Sequence, residues 1–220
     1  MITTVSLKRR AIQGDADAQF RLGYRFAFSR NSANRDVAEA LRWFRKAAAQ
    51  GHIRSQFYLG VAFDQGNGIR KNLKQAMSYY RKAAVSGHPE AQYNLALGYR
   101  DGVGVSKNLK AAVLLLSKCA LRGDAGAQRD YGVCLFYGKG TQRNPKEAIR
   151  WYRKAAEQGD IKAQYNLSLA YMTGDGVRRN LNQATKWFGD AAKQGHPKAR
   201  EWLANQPETG QSGELHRMRK

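Results

Sequence analysis

Two cysteines, four prolines and four histidines in 220 residues leave several architectures without material. Two cysteines fit a reducing compartment, and four prolines with no low-complexity block argue against long linkers. Residues 1–30 hold no apolar run of signal-peptide length, and no stretch reaches the ~18 apolar residues of a membrane span. These absences predict a soluble chain working in the cytoplasm, and a periplasmic or secreted one only if a signal peptide has been removed. Acidic residues are scarce as well. Seventeen Asp+Glu stand against 38 Lys+Arg, for a net charge of +21. What is plentiful is apolar surface, 42% of residues, which suffices for a core.

Self-similarity dominates the remainder. Glycines recur at Gly14, Gly51, Gly87, Gly123, Gly159 and Gly195, in steps of 37, 36, 36, 36 and 36 residues. Five residues after the first five stand Gln19, Gln56, Gln92, Gln128 and Gln164, with Arg200 after the sixth. Leu22, Leu59, Leu95, Tyr131, Leu167 and Leu203 follow in register, then Phe26, Phe63, Tyr99, Leu135 and Tyr171. The second half of each repeat carries Ala40, Ala76, Ala112, Ala148 and Ala184. Trp43, Tyr79, Leu115, Trp151 and Trp187 each follow their alanine three residues later.

Spacing inside a repeat is helical. Ala163, Leu167 and Tyr171 form one stripe, and Ala184, Trp187, Phe188, Ala191 and Ala192 another. Between such stripes lie Gly66-Asn67-Gly68, Gly102-Val103-Gly104, Gly138-Lys139-Gly140 and Gly174-Asp175-Gly176, which suit a tight reversal. Asp36, Asn72, Asn108, Asn144 and Asn180 are placed to cap the second helix. The pattern predicts helix pairs near 15–29/36–49, 52–65/72–86, 88–101/108–122, 124–137/144–158 and 160–173/180–194. A lone hairpin leaves an apolar face bare, so neighbours must stack into a solenoid.

The segment GDIKAQYNLSLAYMTGDGVRRNLNQATKWFGDAA and its sister repeats resemble the Sel1-like repeat, a relative of the tetratricopeptide repeat. That resemblance implies an all-α, right-handed α-α superhelical solenoid of about five helix-turn-helix repeats with terminal half-repeats. Residues 1–14 read as an N-terminal capping half-repeat. The solenoid covers 15–205, with repeats 15–50, 51–86, 87–122, 123–158 and 159–194 and a closing helix at 195–205. Residues 206–220 read as a polar tail. The first repeat departs from the pattern: its inter-helix loop, around 29–35, is one residue longer and lacks Gly-x-Gly.

No catalytic constellation emerges. His52, His88 and His196 follow the repeat glycine, where other repeats have Asp15, Asp124 and Asp160, which points to a helix-start role. Stacked repeats lie roughly 8–10 Å apart, too far for two such imidazoles to share a metal bound at about 2 Å. No carboxylate pair clusters, and no nucleophile has a base nearby in sequence. The chain is therefore expected to be no enzyme and to use no metal or cofactor. Cys119 lies about four residues before the turn at Gly123 and Cys134 about eleven beyond it. Their heights on antiparallel helices differ by roughly 10 Å, against a disulfide's Cα separation near 5.5 Å. Both are expected to be buried thiols.

The positive charge runs along the whole array: residues 1–110 hold 19 basic and 7 acidic residues, and residues 111–220 hold 19 and 10. Such a field favours an acidic partner. The family resemblance implies a non-catalytic protein-interaction scaffold or adaptor, with assembly factors and immunity or inhibitor proteins capping bacterial effectors among its members. The partner expected here is an acidic protein. The alternative is a nucleic-acid or anionic-surface binder, although no nucleic-acid motif is present. Placed on the tetratricopeptide framework, the first helix of each repeat lines a concave wall. Candidate partner contacts there are Tyr93, Arg100, Arg129, Phe136, Tyr137, Tyr165 and Met172. Arg129 attracts notice because it replaces an aromatic residue.

Overall fold

The computed structural model describes residues 4–29 and 35–206. Within them are twelve α-helices and no strand. They are α1 (Thr4–Ile12), α2 (Ala16–Ala27), α3 (Val37–Ala49), α4 (Ile53–Gln65), α5 (Leu73–Val85) and α6 (Pro89–Asp101), followed by α7 (Leu109–Leu121), α8 (Ala125–Tyr137), α9 (Pro145–Glu157), α10 (Ile161–Thr173), α11 (Leu181–Lys193) and α12 (Pro197–Ala204). The five expected helix pairs are α2/α3 through α10/α11. Most bounds shift inward by a residue because the outermost expected residues are caps, as His52 and Asn72 are for α4 and α5. Expectations for the long first loop and the tail fall on residues 30–34 and 207–220, outside the described residues. The helices form two compact units, Met1–Cys119 and Ala120–Lys220, which divide within α7.

Each hairpin closes through one polar residue. The backbone N–H groups of Asn72, Asn144 and Asn180 donate to the carbonyls of Phe63, Leu135 and Tyr171 at 2.8, 2.7 and 2.8 Å. Their side-chain oxygens accept from Gln75, Glu147 and Gln183 at 3.0, 3.1 and 3.0 Å. One asparagine thus ties the end of the first helix to the start of the second and caps the latter. The reversal itself needs left-handed backbone, supplied at Gly66 (φ 76°) and Gly68 (φ 69°).

A second polar device joins one repeat to the next. The buried amides of Gln19, Gln92, Gln128 and Gln164 donate to the carbonyls of Ala11, Ala84, Ala120 and Ala156, at 3.1, 2.9, 3.2 and 3.2 Å. Each of these carbonyls also accepts from the backbone N–H of the repeat glycine, Gly14, Gly87, Gly123 or Gly159, so the glutamine fills its second acceptor position. Gln50, Gln158 and Gln194 then donate to the side-chain oxygens of Gln19, Gln128 and Gln164, at 2.8, 2.8 and 2.9 Å. The recurrent glutamine is therefore a relay between three helices. The matching position is not glutamine at two junctions, where Ser86 and Arg122 stand. Where Gln50, Gln158 and Gln194 stand in their repeats the second junction has Ser86, and among the described residues no donor reaches the buried Oε1 of Gln56.

Apolar packing fills the space around these relays. Leu59, Tyr80, Leu116, Leu167 and Phe188 are almost wholly buried, each contributing about 1.5–3 kcal/mol in area removed from water. Gly60 lets α4 press onto the Tyr80 ring, where a Cβ would lie 2.6 Å from ring carbons. Cys119 and Cys134 are buried thiols that take part in no disulfide, as expected. No described helix is long and apolar enough to cross a membrane. Ser86→Gln should complete the broken relay and raise stability by about 1 kcal/mol. The urea midpoint of unfolding measures this, and an unchanged midpoint would show that the relay adds nothing at that junction.

Candidate partner-binding surface

The first helix of each repeat begins at a capping residue, and that residue also meets the helix before it. The Nδ1 atoms of His52, His88 and His196 accept from the backbone N–H of Ser55, Ala91 and Ala199, at 3.2, 3.4 and 3.3 Å. Their rings stack on Phe20, Phe57 and Tyr165, with centroids 4.7, 4.4 and 4.2 Å apart. At His52 the accepting Nδ1 leaves the ring proton to Nε2, which lies 3.1 Å from Asp17. Burial pushes the imidazoles of His88 and His196 below their ordinary pKa; Glu90 opposes the shift at His88, and Lys198 and Lys162 add to it at His196. Among the described residues no group of three or more His, Cys, Asp and Glu side chains is placed to hold a metal.

Arg129 occupies the position of those stacked rings. Its Nη1 lies 2.6 Å from Asp160, the cap of α10, and its Nε lies 2.8 Å from Asp130. The arginine side chain is 18% exposed and the two carboxylates 13% and 10%. Aromatic residue and histidine at one junction are thus exchanged for arginine and aspartate at another. The signal for this lay in the sequence: Asp160 follows Arg129 by the same 31 residues that separate Phe57 from His88 and Tyr165 from His196.

The other expected contacts have assorted surroundings. Tyr93 is half-buried on α6. Arg100, near the end of that helix, forms two bonds of 2.8 Å to Asp101. In the second unit Tyr165 and Met172 pack against the cluster around Ala184 and Phe188. Phe136 is half-buried beneath the Arg143 guanidinium, 5.9 Å from its ring centroid. Tyr137 projects furthest, at 62% exposed, with Lys139 over its ring.

Many cations serve the framework. Lys46, Lys82 and Lys154 lie over the rings of Trp43, Tyr79 and Trp151 at 4.5, 5.4 and 4.4 Å, contacts worth about 0.5–1 kcal/mol at exposed sites. Arg143 and Arg179 donate to the carbonyls of Phe136 and Met172 at 3.1 Å, satisfying helix ends.

A concave site lies in the Met1–Cys119 unit, and its lining includes none of the expected contacts. A groove of about 770 Å³ runs over α2, α4 and the start of α6. Phe20, Tyr24, Phe57 and Tyr58 form its apolar wall, with Arg21, Arg25 and Arg54 as its cations. None of Phe20, Tyr24, Phe57 and Tyr58 is among the contacts expected from the sequence. The available signal was a break in register. Tyr24 is aromatic where the other repeats have Val61, Leu97, Val133 and Leu169, and Tyr58 is aromatic where they have Arg21, Asn94, Asp130 and Asn166.

The Sel1 repeat model matches residues 16–52, 53–88, 89–124, 125–160 and 161–196. The chain belongs to the Sel1 repeat family, whose members are generally protein-interaction scaffolds. Among solved structures it is similar to c5321, a protective antigen present in uropathogenic Escherichia coli strains and displaying an SLR fold. The two share 35% identity with a TM-score of 0.85, over 93% of this chain and 44% of that one. The chain therefore spans less than half the length of that relative. A Sel1 repeat protein from Oxalobacter formigenes shares 30% identity with a TM-score of 0.79, over 91% of this chain and 80% of that one. Comparison with curated proteins finds no match.

Two outcomes test the junctions. Arg129→Leu leaves Asp130 and Asp160 without their shared cation and should cost about 3 kcal/mol in a urea titration, whereas Arg100→Gln, at an exposed pair, should cost about 1 kcal/mol or less. The depressed pKa of His88 and His196 means that the unfolded chain binds more protons below their ordinary value near 6.5. Their contribution is complete above that value and is lost as pH falls towards the folded pKa. The melting temperature should drop between about pH 7.5 and 5.5, and His88→Asp should lessen the drop.

Proposed function

We propose that this chain is a non-catalytic protein-interaction adaptor whose basic surface binds an acidic protein. Charge arithmetic supports this most directly. If each of the 17 carboxylates neutralised one cation, 21 of the 38 would still be uncompensated. Many lie on exposed faces, such as Lys74, Lys110, Lys146 and Lys162, where no packing role calls for them. A field of this size accelerates encounter with an acidic surface and disfavours basic ones. The histidines and aspartates that drew attention as possible site groups act as helix caps and junction pairs, which supports a binding role over a catalytic one. Assembly factor and immunity protein are both roles within this reading, since each needs a rigid scaffold and a charged face.

Within each unit a different set of contacts is proposed. In Ala120–Lys220 the exposed edge is Tyr137 with Phe136 beside it, while Arg129, Tyr165 and Met172 support the wall behind. In Met1–Cys119, Tyr93 and Arg100 join the groove residues. The rival is nucleic acid, for which the same field would serve. Purification on the immobilised chain, after nuclease treatment, should retain an acidic protein, and salt should act on its association rate more than on its dissociation. A nucleic-acid binder would instead lose about 10³–10⁵ in affinity between about 50 and 200 mM salt. Recovery of nucleic acid with that slope would replace the adaptor reading.

A further inference from the structure

We propose that the groove of the Met1–Cys119 unit docks an acidic peptide segment carrying a large apolar side chain. The inference rests on the adaptor reading and adds to it a place and a recognition chemistry. Its starting point is a cluster of three rings. Tyr24 and Phe28 are 43% and 51% exposed, one turn apart at the end of α2. Tyr58 reaches across from α4 to within 5.7 and 5.6 Å of their centroids. The other repeats stack with aliphatic residues in place of Tyr24 and with polar ones in place of Tyr58. Solenoid packing accounts for Tyr58, which rests on the cluster around Phe44, but not for Tyr24 and Phe28, whose exposure is unfavourable without a partner.

The cluster's geometry selects among partners. Phe44 stacks on one face of Tyr58 at 5.5 Å and 14°, and Tyr24 stands edge-on to it at 75°. Tyr24 is itself tilted by 51° and 42° against Phe20 and Phe28. Bases of a single strand need open, parallel faces on which to stack, and these rings form a wedge. A wedge of ring edges with two phenol hydroxyls suits an inserted Leu, Phe or Trp side chain and the polar backbone on either side of it. Around the wedge Arg21 and Arg25 flank Tyr24 on α2, and Arg54 lies one turn before Tyr58. The acidic residue among the lining groups is Glu90, 3.2 Å from His88. Three cations about an apolar wedge fit carboxylates on either side of an apolar anchor. The volume of about 770 Å³ falls within the range of ligand-binding clefts.

Fluorescence anisotropy on the full chain tests this with three labelled probes. The first is a ten-residue peptide of Asp and Glu around a central Trp-Leu pair, the second has Ala-Ala at its centre, and the third is an oligothymidine of equal length. The Trp-Leu peptide should bind about tenfold or more tightly than the Ala-Ala peptide. Tyr24→Ala with Phe28→Ala should abolish that preference with helicity unchanged by circular dichroism. Arg25→Glu with Arg54→Glu should weaken both peptides by about tenfold, while Lys74→Glu with Lys110→Glu should change either by about threefold or less. A preference that survives loss of the two rings would overturn the groove and leave the adaptor reading standing. Failure of both peptides to bind at low salt would overturn both. Ring-dependent binding of oligothymidine above either peptide would assign the groove to nucleic acid instead.

Discussion

The structure depends on buried glutamines at its repeat junctions, with Arg200 in their place at the last. A helical hairpin of this length ends in carbonyl groups that its own helix cannot satisfy, and stacking the next hairpin against that end would bury them. The N–H groups of the repeat glycines satisfy these carbonyls in part, and Gln19, Gln92, Gln128 and Gln164 add a second donor from inside the interface. A neighbour such as Gln50 or Gln158 then completes the glutamine's own hydrogen bonding. Polar satisfaction adds to apolar area in setting the register of each repeat, because a slip would strand the glutamine amide in a dry interface.

Junction pairs add a second level of specification. The cap of one helix meets a side chain of the helix before it, and two chemistries fill the same geometry: imidazole stacked on an aromatic ring, or aspartate paired with Arg129. The cap must accept a backbone N–H and also turn towards the preceding repeat, which a neutral histidine and an ionised aspartate both do. Lys46 on α3 and Lys154 on α9, lying over framework rings, show the same economy, covering apolar surface with their stems while the charge remains in water. The basic surface is thus partly structural in origin, and its surplus over the acids is what a partner would read.

Much of this was legible beforehand. Spacing at 36 residues, the two helical stripes and the glycine pairs located α2 to α11, because local periodicity and turn chemistry are written into neighbouring residues. The helix-start role of His52, His88 and His196 followed from their sharing a position with aspartates. Less legible was what each irregular residue faces. Arg129 read as a candidate anchor because it broke a row of rings, and its carboxylate partner stands one repeat later. The groove over α2 and α4 was not legible for the related reason that Tyr24 and Tyr58 stand at two different repeat positions, and only the crossing of their helices brings the rings together.

The sequence by itself determined the hairpins, their number and their caps, since these depend on contacts between residues a few places apart and on apolar faces too broad to leave in water. Tertiary structure alone decided which pattern-breaking residues meet. Contact between Tyr24 and Tyr58, or between Arg129 and Asp160, depends on how one helix lies across another, and a difference of one side-chain length there changes the partner. Ser86 shows the point on the smallest scale. Its place in the repeat could be read from spacing, but the unmet oxygen of Gln56 exists only because packing has buried it beyond a serine's reach.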